Sequence, residues 1–171
     1  MSGALARPDR FSELLSDLGN TGTAVPVLAA ALAYAAWRWR RAGAVRWWLP
    51  PLAGAVLMAL VPAVVVPLKE WTDRPATPVM PPATGYYPSG HTATALVAYG
   101  TATLLLLPHL RAPAVRKLLV AAGAALVLAT SCGLVRRGYH WPLDVVASWC
   151  LFLPPLAGLR SLVRRYGRPP S

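Results

Sequence analysis

Two short stretches carry the groups that could do chemistry. In Tyr86-Tyr87-Pro88-Ser89-Gly90-His91 a histidine follows serine and glycine and opens a long apolar run. A helix beginning at His91 would offer unpaired backbone N–H groups and the positive end of its dipole, a ready anion site. Ser89 adds a hydroxyl, and Gly90 lets the backbone approach a phosphate closely. In His140-Trp141-Pro142-Leu143-Asp144 the histidine and the carboxylate are four apart, on one face of a helix and within hydrogen-bond reach. Pro142 falls where a helix would begin, a position that tolerates a missing N–H. A carboxylate that holds one imidazole nitrogen leaves the other free as nucleophile or base.

The elements that must position these groups are membrane-length helices. The chain has 171 residues, 56% of them hydrophobic and 13% charged, with a mean hydropathy of +0.45. A water-soluble domain carries about twice that share of charge. Apolar runs near twenty residues read as spans, and five are expected, over 21–38, 47–68, 91–108, 114–135 and 141–160. Residues 1–10 read as loose. The segment 11–19, with apolar residues at helical spacing and a glycine stop, reads as a short amphipathic helix at the interface, within an N-terminal interfacial segment over 1–20. Basic residues follow the first apolar run rather than precede it, so that run is expected to remain as a span and not to be cleaved. Prolines 50, 51, 62 and 67 in the second run are tolerated where neighbouring helices satisfy the freed carbonyls. Residues 69–90 read as a long proline-rich loop, and a loop of that length in a compact chain is usually functional. The fold expected is all-α and integral to the membrane: a bundle of five transmembrane helices with a short N-terminal interfacial helix, forming one domain over 1–171.

Charge gives the expected orientation. The net charge is +11, but the basic residues cluster at the ends of apolar runs, which sets nucleic-acid binding aside in favour of a topology signal. One side collects Arg38, Arg40, Arg41, Arg46, Arg111, Arg116, Lys117, Arg160, Arg164, Arg165 and Arg168. The other holds Arg7, Arg10, Lys69, Arg74, Arg136 and Arg137, together with all six carboxylates. The first side is expected to be cytoplasmic, with the N-terminus outside and the C-terminus inside. Lys69, Arg74, His91, His140 and Asp144 then all fall at the outer surface. His109 falls at the opposite end, as a rim residue. Cys132 and Cys150 lie inside apolar runs without a CxxC or a His/Cys cluster, so no metal site is expected from them. They are expected to be free, buried thiols.

These residues resemble the type 2 phosphatidic acid phosphatase superfamily, which groups lipid phosphatases with vanadium haloperoxidases. Its pattern is KxxxxxxRP, then PSGH, then SRxxxxxHxxxD. PSGH is complete at Pro88 to His91 and HxxxD at His140 to Asp144, and the resemblance spans roughly Lys69 to Asp144. The first and third parts depart. Counting from Lys69, the family's arginine falls on Ala76, while Arg74-Pro75 stands two residues early. The arginine six residues before the histidine falls on Leu134, and its preceding serine on Gly133. Arg136 and Arg137 are the possible substitutes, with Arg136 narrowly preferred.

The resemblance implies a metal-independent phosphatase acting on a lipid phosphomonoester or pyrophosphate, of the polyprenyl, phosphatidylglycerol phosphate or phosphatidate class, at the extracytoplasmic face of the cell membrane. His140, oriented by Asp144, would attack phosphorus and form a phosphohistidine. His91 would protonate the leaving oxygen and then activate water. The phosphate would be held by Lys69, Arg74, Ser89, Gly90 and Arg136 or Arg137. No cofactor or metal is called for. The partners are the lipid phosphate and the surrounding membrane lipids, and the sequence gives no oligomeric state. Attack requires neutral His140, so activity is expected to fall at acid pH. Two other readings compete. A haloperoxidase would have a similar site, but those relatives are soluble. A non-catalytic lipid-phosphate binding or transport protein of the same fold is compatible with the two arginine departures.

Overall fold

The computed structural model describes residues 10–166. Arg7, Asp9, Arg168 and the stretch read as loose before position 10 therefore lie outside the described residues. The chain forms α1 (Arg10–Asp17), α2 (Thr21–Arg41), α3 (Leu49–Thr72), α4 (Gly90–Leu106), α5 (Pro113–Arg136) and α6 (Pro142–Tyr166). One 3-10 turn, Leu107–His109, follows α4, and no strand occurs among the described residues. Four helices are each long and apolar enough to cross a bilayer: α3, α4 with its 3-10 extension, α5 and α6. The pair α1 and α2, bent by 44° where they join, passes the same test together as a fifth.

α4 is the centre of the bundle and packs against α2, α3, α5 and α6. It is the least apolar of the four spans, because Thr92, Thr94 and Thr101 are buried among neighbouring helices rather than turned to lipid. Ala93, Ala95, Val97 and Ala98 of α4 are fully buried, and their small side chains let neighbouring backbones approach closely. The outer helices pack on one side only. Leu52, Val56 and Leu60 of α3 and Leu118 and Leu128 of α5 stay exposed, as lipid-facing positions should.

Two expectations need correction. α3 runs on to Thr72, so Lys69 stands on its last turn and not in the loop, which covers only 73–89. The Thr72 hydroxyl lies 2.7 Å from Leu68 O and 3.1 Å from Tyr87 O, fastening this last turn to the stretch before His91. Asp73 then stops the helix in the left-handed conformation, with φ 41°. Cys132 and Cys150 are free, as expected, but exposed rather than buried, because α5 and α6 turn those faces outward.

α1 is more than a surface helix. Phe11 and Leu14 are exposed, as an interfacial helix requires, while its small polar face, Ser12 and Ser16, is buried against α5. Gly133 of α5 permits that contact: a Cβ there would lie 2.8 Å from Leu15 Cβ and 2.9 Å from Ser16 N. The Tyr99 hydroxyl of α4 donates to Leu18 O at 2.6 Å and ties down the corner between α1 and α2.

Candidate active site

The two motifs meet through hydrogen bonds at the start of α4 and α6. Ser89 is the N-cap of α4, where its Oγ accepts from Thr92 N at 3.3 Å and its own N–H donates to Asp144 O at 3.1 Å. Ser148, one turn beyond Asp144 on α6, has its hydroxyl 2.8 Å from Ser89 O and 3.0 Å from Asp144 O. All three residues are fully buried. Ser148 was not foreseen, although its place four residues after Asp144 puts it on the same helix face.

The Asp144 carboxylate is fully used. Oδ2 lies 3.2 Å from His140 Nδ1 and accepts from Trp141 N at 2.9 Å, while Oδ1 lies 2.8 Å from Arg74 Nη1. A buried carboxylate is tolerable only when paired and hydrogen-bonded in this way. With Nδ1 committed to Asp144, Nε2 is the nitrogen of His140 left for chemistry. Burial pushes the His140 pKa below its ordinary value of 6.5; Lys69 and His91 push the same way, and Asp144 opposes them.

His140 and His91 line one cavity of about 500 Å³, together with Lys69, Thr84, Tyr86 and Tyr139, and with Ser16 and Asp17 from α1. Tyr86 packs on His140 with ring centroids 5.9 Å apart. Leu134, standing where the family pattern has arginine, also lines this cavity. The position of the missing cation is therefore in the wall, occupied by an apolar side chain.

The remaining expected phosphate ligands are placed differently. Arg74 is not on the cavity wall; it holds Asp144 and covers the Tyr87 ring at 5.7 Å. Arg137 bonds the Tyr139 hydroxyl at 2.6 Å and pairs with Glu13 of α1 at 3.5 Å. Arg136 lines a second, apolar groove. Ser89 spends its hydroxyl on the helix cap. Gly90 has room for a Cβ, with its nearest neighbour at 3.8 Å. Of the expected cations, Lys69 alone lines the cavity.

The second groove, of about 710 Å³, runs between α5 and α6 and has His140 in its wall. Leu128, Val135, Val145, Val146 and Trp149 form most of its wall, with Val79 of the loop. The loop is pinned over the groove by the Thr77 hydroxyl, which donates to Gly138 O.

Sequence and fold comparisons bear on the family and the architecture. The sequence model of the PAP2 superfamily matches residues 55–153. No curated protein matches this sequence. Among solved structures, the first transmembrane PAP2 type phosphatidylglycerolphosphate phosphatase from Bacillus subtilis superposes with a TM-score of 0.72 at 20% identity. That match covers 93% of this chain and 79% of the other.

Proposed function

The chain belongs to the PAP2 superfamily, and we propose that it is a membrane lipid phosphatase that hydrolyses a phosphomonoester through a phosphohistidine on His140. The observation that carries this reading is the shared cavity. His140, with Nδ1 bound to Asp144, and His91 at the start of α4 line one cavity with Lys69. The same histidine also lines the apolar groove between α5 and α6. A headgroup in the cavity and a tail in the groove would place the ester phosphorus beside His140.

The steps follow from the groups present. His140 Nε2 attacks phosphorus as the P–O bond to the lipid breaks, and His91 gives its proton to the departing oxygen. Asp144 stabilises the positive charge that forms on the His140 ring. Water then attacks the phosphohistidine, with His91 taking its proton. The N–P bond breaks, and inorganic phosphate leaves with both histidines restored. Lys69 and the N–H groups at the start of α4 face the charge on the phosphoryl oxygens.

Lys69, the one lysine or arginine among the described residues of the cavity wall, favours a monophosphate over the more highly charged diphosphate. The end of the bundle that carries Lys69, His91 and His140 is assigned to the extracytoplasmic face of the cell membrane, because ten of the fifteen lysines and arginines among the described residues gather at the other end. The N-terminus is then outside and the C-terminus cytoplasmic.

Phosphate release from detergent-solubilised lipid monophosphates and prenyl diphosphates, with and without EDTA, tests the reading. The expected result is release that EDTA does not reduce, with a higher kcat/KM on a monophosphate. A preference for diphosphates overturns the headgroup assignment. Binding of lipid phosphate without release from any member of the panel identifies a binding protein instead.

A further inference from the structure

We propose that Asn20 is a positioning residue for His91, and that Asp17 and Asn20 together decide which nitrogen of the His91 ring exchanges the reacting proton. This rests on the phosphatase reading above and deepens it.

Asn20 is a cap whose side chain is not used for capping. Asn20 occupies the N-cap position of α2 with extended backbone, φ −64° and ψ 142°. Its carbonyl accepts the first helical bonds, from Thr23 N and Ala24 N. An asparagine at an N-cap ordinarily spends its side-chain oxygen on the backbone N–H groups of the first turn, yet this one makes no such bond. The amide turns instead to Asp17 and His91, two residues that line the cavity. Its Nδ2 donates to Asp17 Oδ1 at 2.9 Å, and its Oδ1 lies 2.8 Å from His91 Nε2.

The direction of this chain of bonds is fixed by chemistry. A carboxylate only accepts, so the NH2 of Asn20 must face Asp17. The amide oxygen then faces His91 and can only accept, so His91 Nε2 must carry a hydrogen. A neutral imidazole has one N–H. Nδ1 is therefore the bare nitrogen of the neutral ring and the free donor of the protonated one. The hydrogen bond at one ring nitrogen sets the state of the other.

Packing holds the corner where this works. A Cβ on Gly19 would lie 2.6 Å from Thr130 Cγ2 and 2.8 Å from His91 O, so only glycine lets the corner come so near the start of α4. The Tyr99 hydroxyl holds Leu18 O next to it. The other titratable groups around His91 in the cavity are Lys69 of α3, Tyr86 of the loop, and Tyr139 and His140 before α6.

The catalytic consequence is specific. His91 Nδ1–H supplies the proton to the lipid oxygen as the P–O bond breaks, and the neutral ring that remains keeps its hydrogen on Nε2, held by Asn20. The same Nδ1 then takes the proton of the attacking water. Without Asn20 the neutral ring can place its hydrogen on Nδ1, where it cannot act as base.

The test uses full-length protein with 15N-labelled histidine in nanodiscs, with the His91 signals identified by their loss in His91→Gln. Correlation spectra of neutral His91 should show a protonated Nε2 and a bare Nδ1, and Asn20→Ala should produce a mixture of tautomers. Asn20→Ala should also lower kcat for phosphate release by on the order of tenfold or more, a part of what general acid–base catalysis contributes, with little change in KM. Asn20→Asp alone would set two carboxylates against each other, so the rescue variant is Asn20→Asp with Asp17→Asn, which keeps an acceptor for Nε2–H and a donor to hold that acceptor. It should recover most of kcat and carry the basic limb of the pH profile to higher pH, because the charge now sits directly beside the ring and favours its protonated form. A hydrogen on Nδ1 in the wild-type protein, or an Asn20→Ala spectrum identical to it, overturns the proposal. The spectra do not depend on turnover. An Asn20-dependent Nε2–H without phosphate release from any lipid would keep the positioning role and reject the phosphatase reading.

Discussion

Arg74 Nη1 lies 2.8 Å from Oδ1 of Asp144, whose other oxygen lies 3.2 Å from His140 Nδ1. The guanidinium therefore acts on the proposed nucleophile through its carboxylate. Arg74→Ala should lower kcat by on the order of ten- to hundredfold, less than the loss on removing the orienting carboxylate itself. KM should change little, since the arginine is not on the cavity wall. Only Nη1 makes the contact, so Arg74→Lys should retain much of the activity. Steady-state kinetics on one lipid phosphate separates the cases. A large rise in KM with kcat unchanged would show that Arg74 binds the phosphate directly.

The acid side of the pH profile should report His140. Burial sets its pKa below 6.5, while the hydrogen bond and charge of Asp144 raise it. The nucleophile must be neutral, so kcat should be steady near neutrality and fall as pH drops through this lowered value. Asp144→Asn removes the raising partner. The variant should be much slower, yet its acid limb should move to still lower pH. A limb that moves upward would assign the titration to another group.

Gly133→Ala should disturb the seating of α1. The new Cβ would meet Leu15 Cβ at 2.8 Å and Ser16 N at 2.9 Å, both on α1. Overpacking of this kind costs about 1–3 kcal/mol, and thermal unfolding in detergent should register it as a lower Tm. Asp17 of the same helix lines the cavity, so kcat should fall as well. A variant as stable and active as wild type would mean that α1 does not hold this contact.

Topology is open to direct labelling. Thr84 lies in the loop over the cavity and Ala112 just before α5, and both are exposed. Cys132 and Cys150 are exposed too, so both must first be replaced by serine. Thr84→Cys should then react with a membrane-impermeant thiol reagent in intact cells, and Ala112→Cys should not. The reverse pattern would place the site in the cytoplasm.

The sequence made the helices legible because twenty-residue apolar runs have few other solutions, and it made PSGH and HxxxD legible because each lies within one or two turns of chain. What it hid depends on distant contacts. Asn20 and His91 are 71 positions apart, and Arg74 and Asp144 are 70 apart. No local pattern announces either pair. The polar run after Leu68 suggested a loop, yet Thr72 continues the helix by bonding back to Leu68 O, which sets Lys69 on a rigid turn. The family arginine absent at Leu134 could be seen missing from the sequence. Where nearby Arg136 and Arg137 stand could not be seen there: one lines the apolar groove and the other is held by Glu13 and Tyr139.

Rapid-quench labelling tests the central claim most directly. A lipid monophosphate carrying 32P is mixed with the protein and stopped in base within the first turnover, and the labelled residue is then mapped. The expected result is a base-stable, acid-labile label on His140, absent from His140→Ala, which should remain folded and inserted but release no phosphate. Turnover near the wild-type rate in a well-folded His140→Ala protein, or a label on any other residue, would contradict the account.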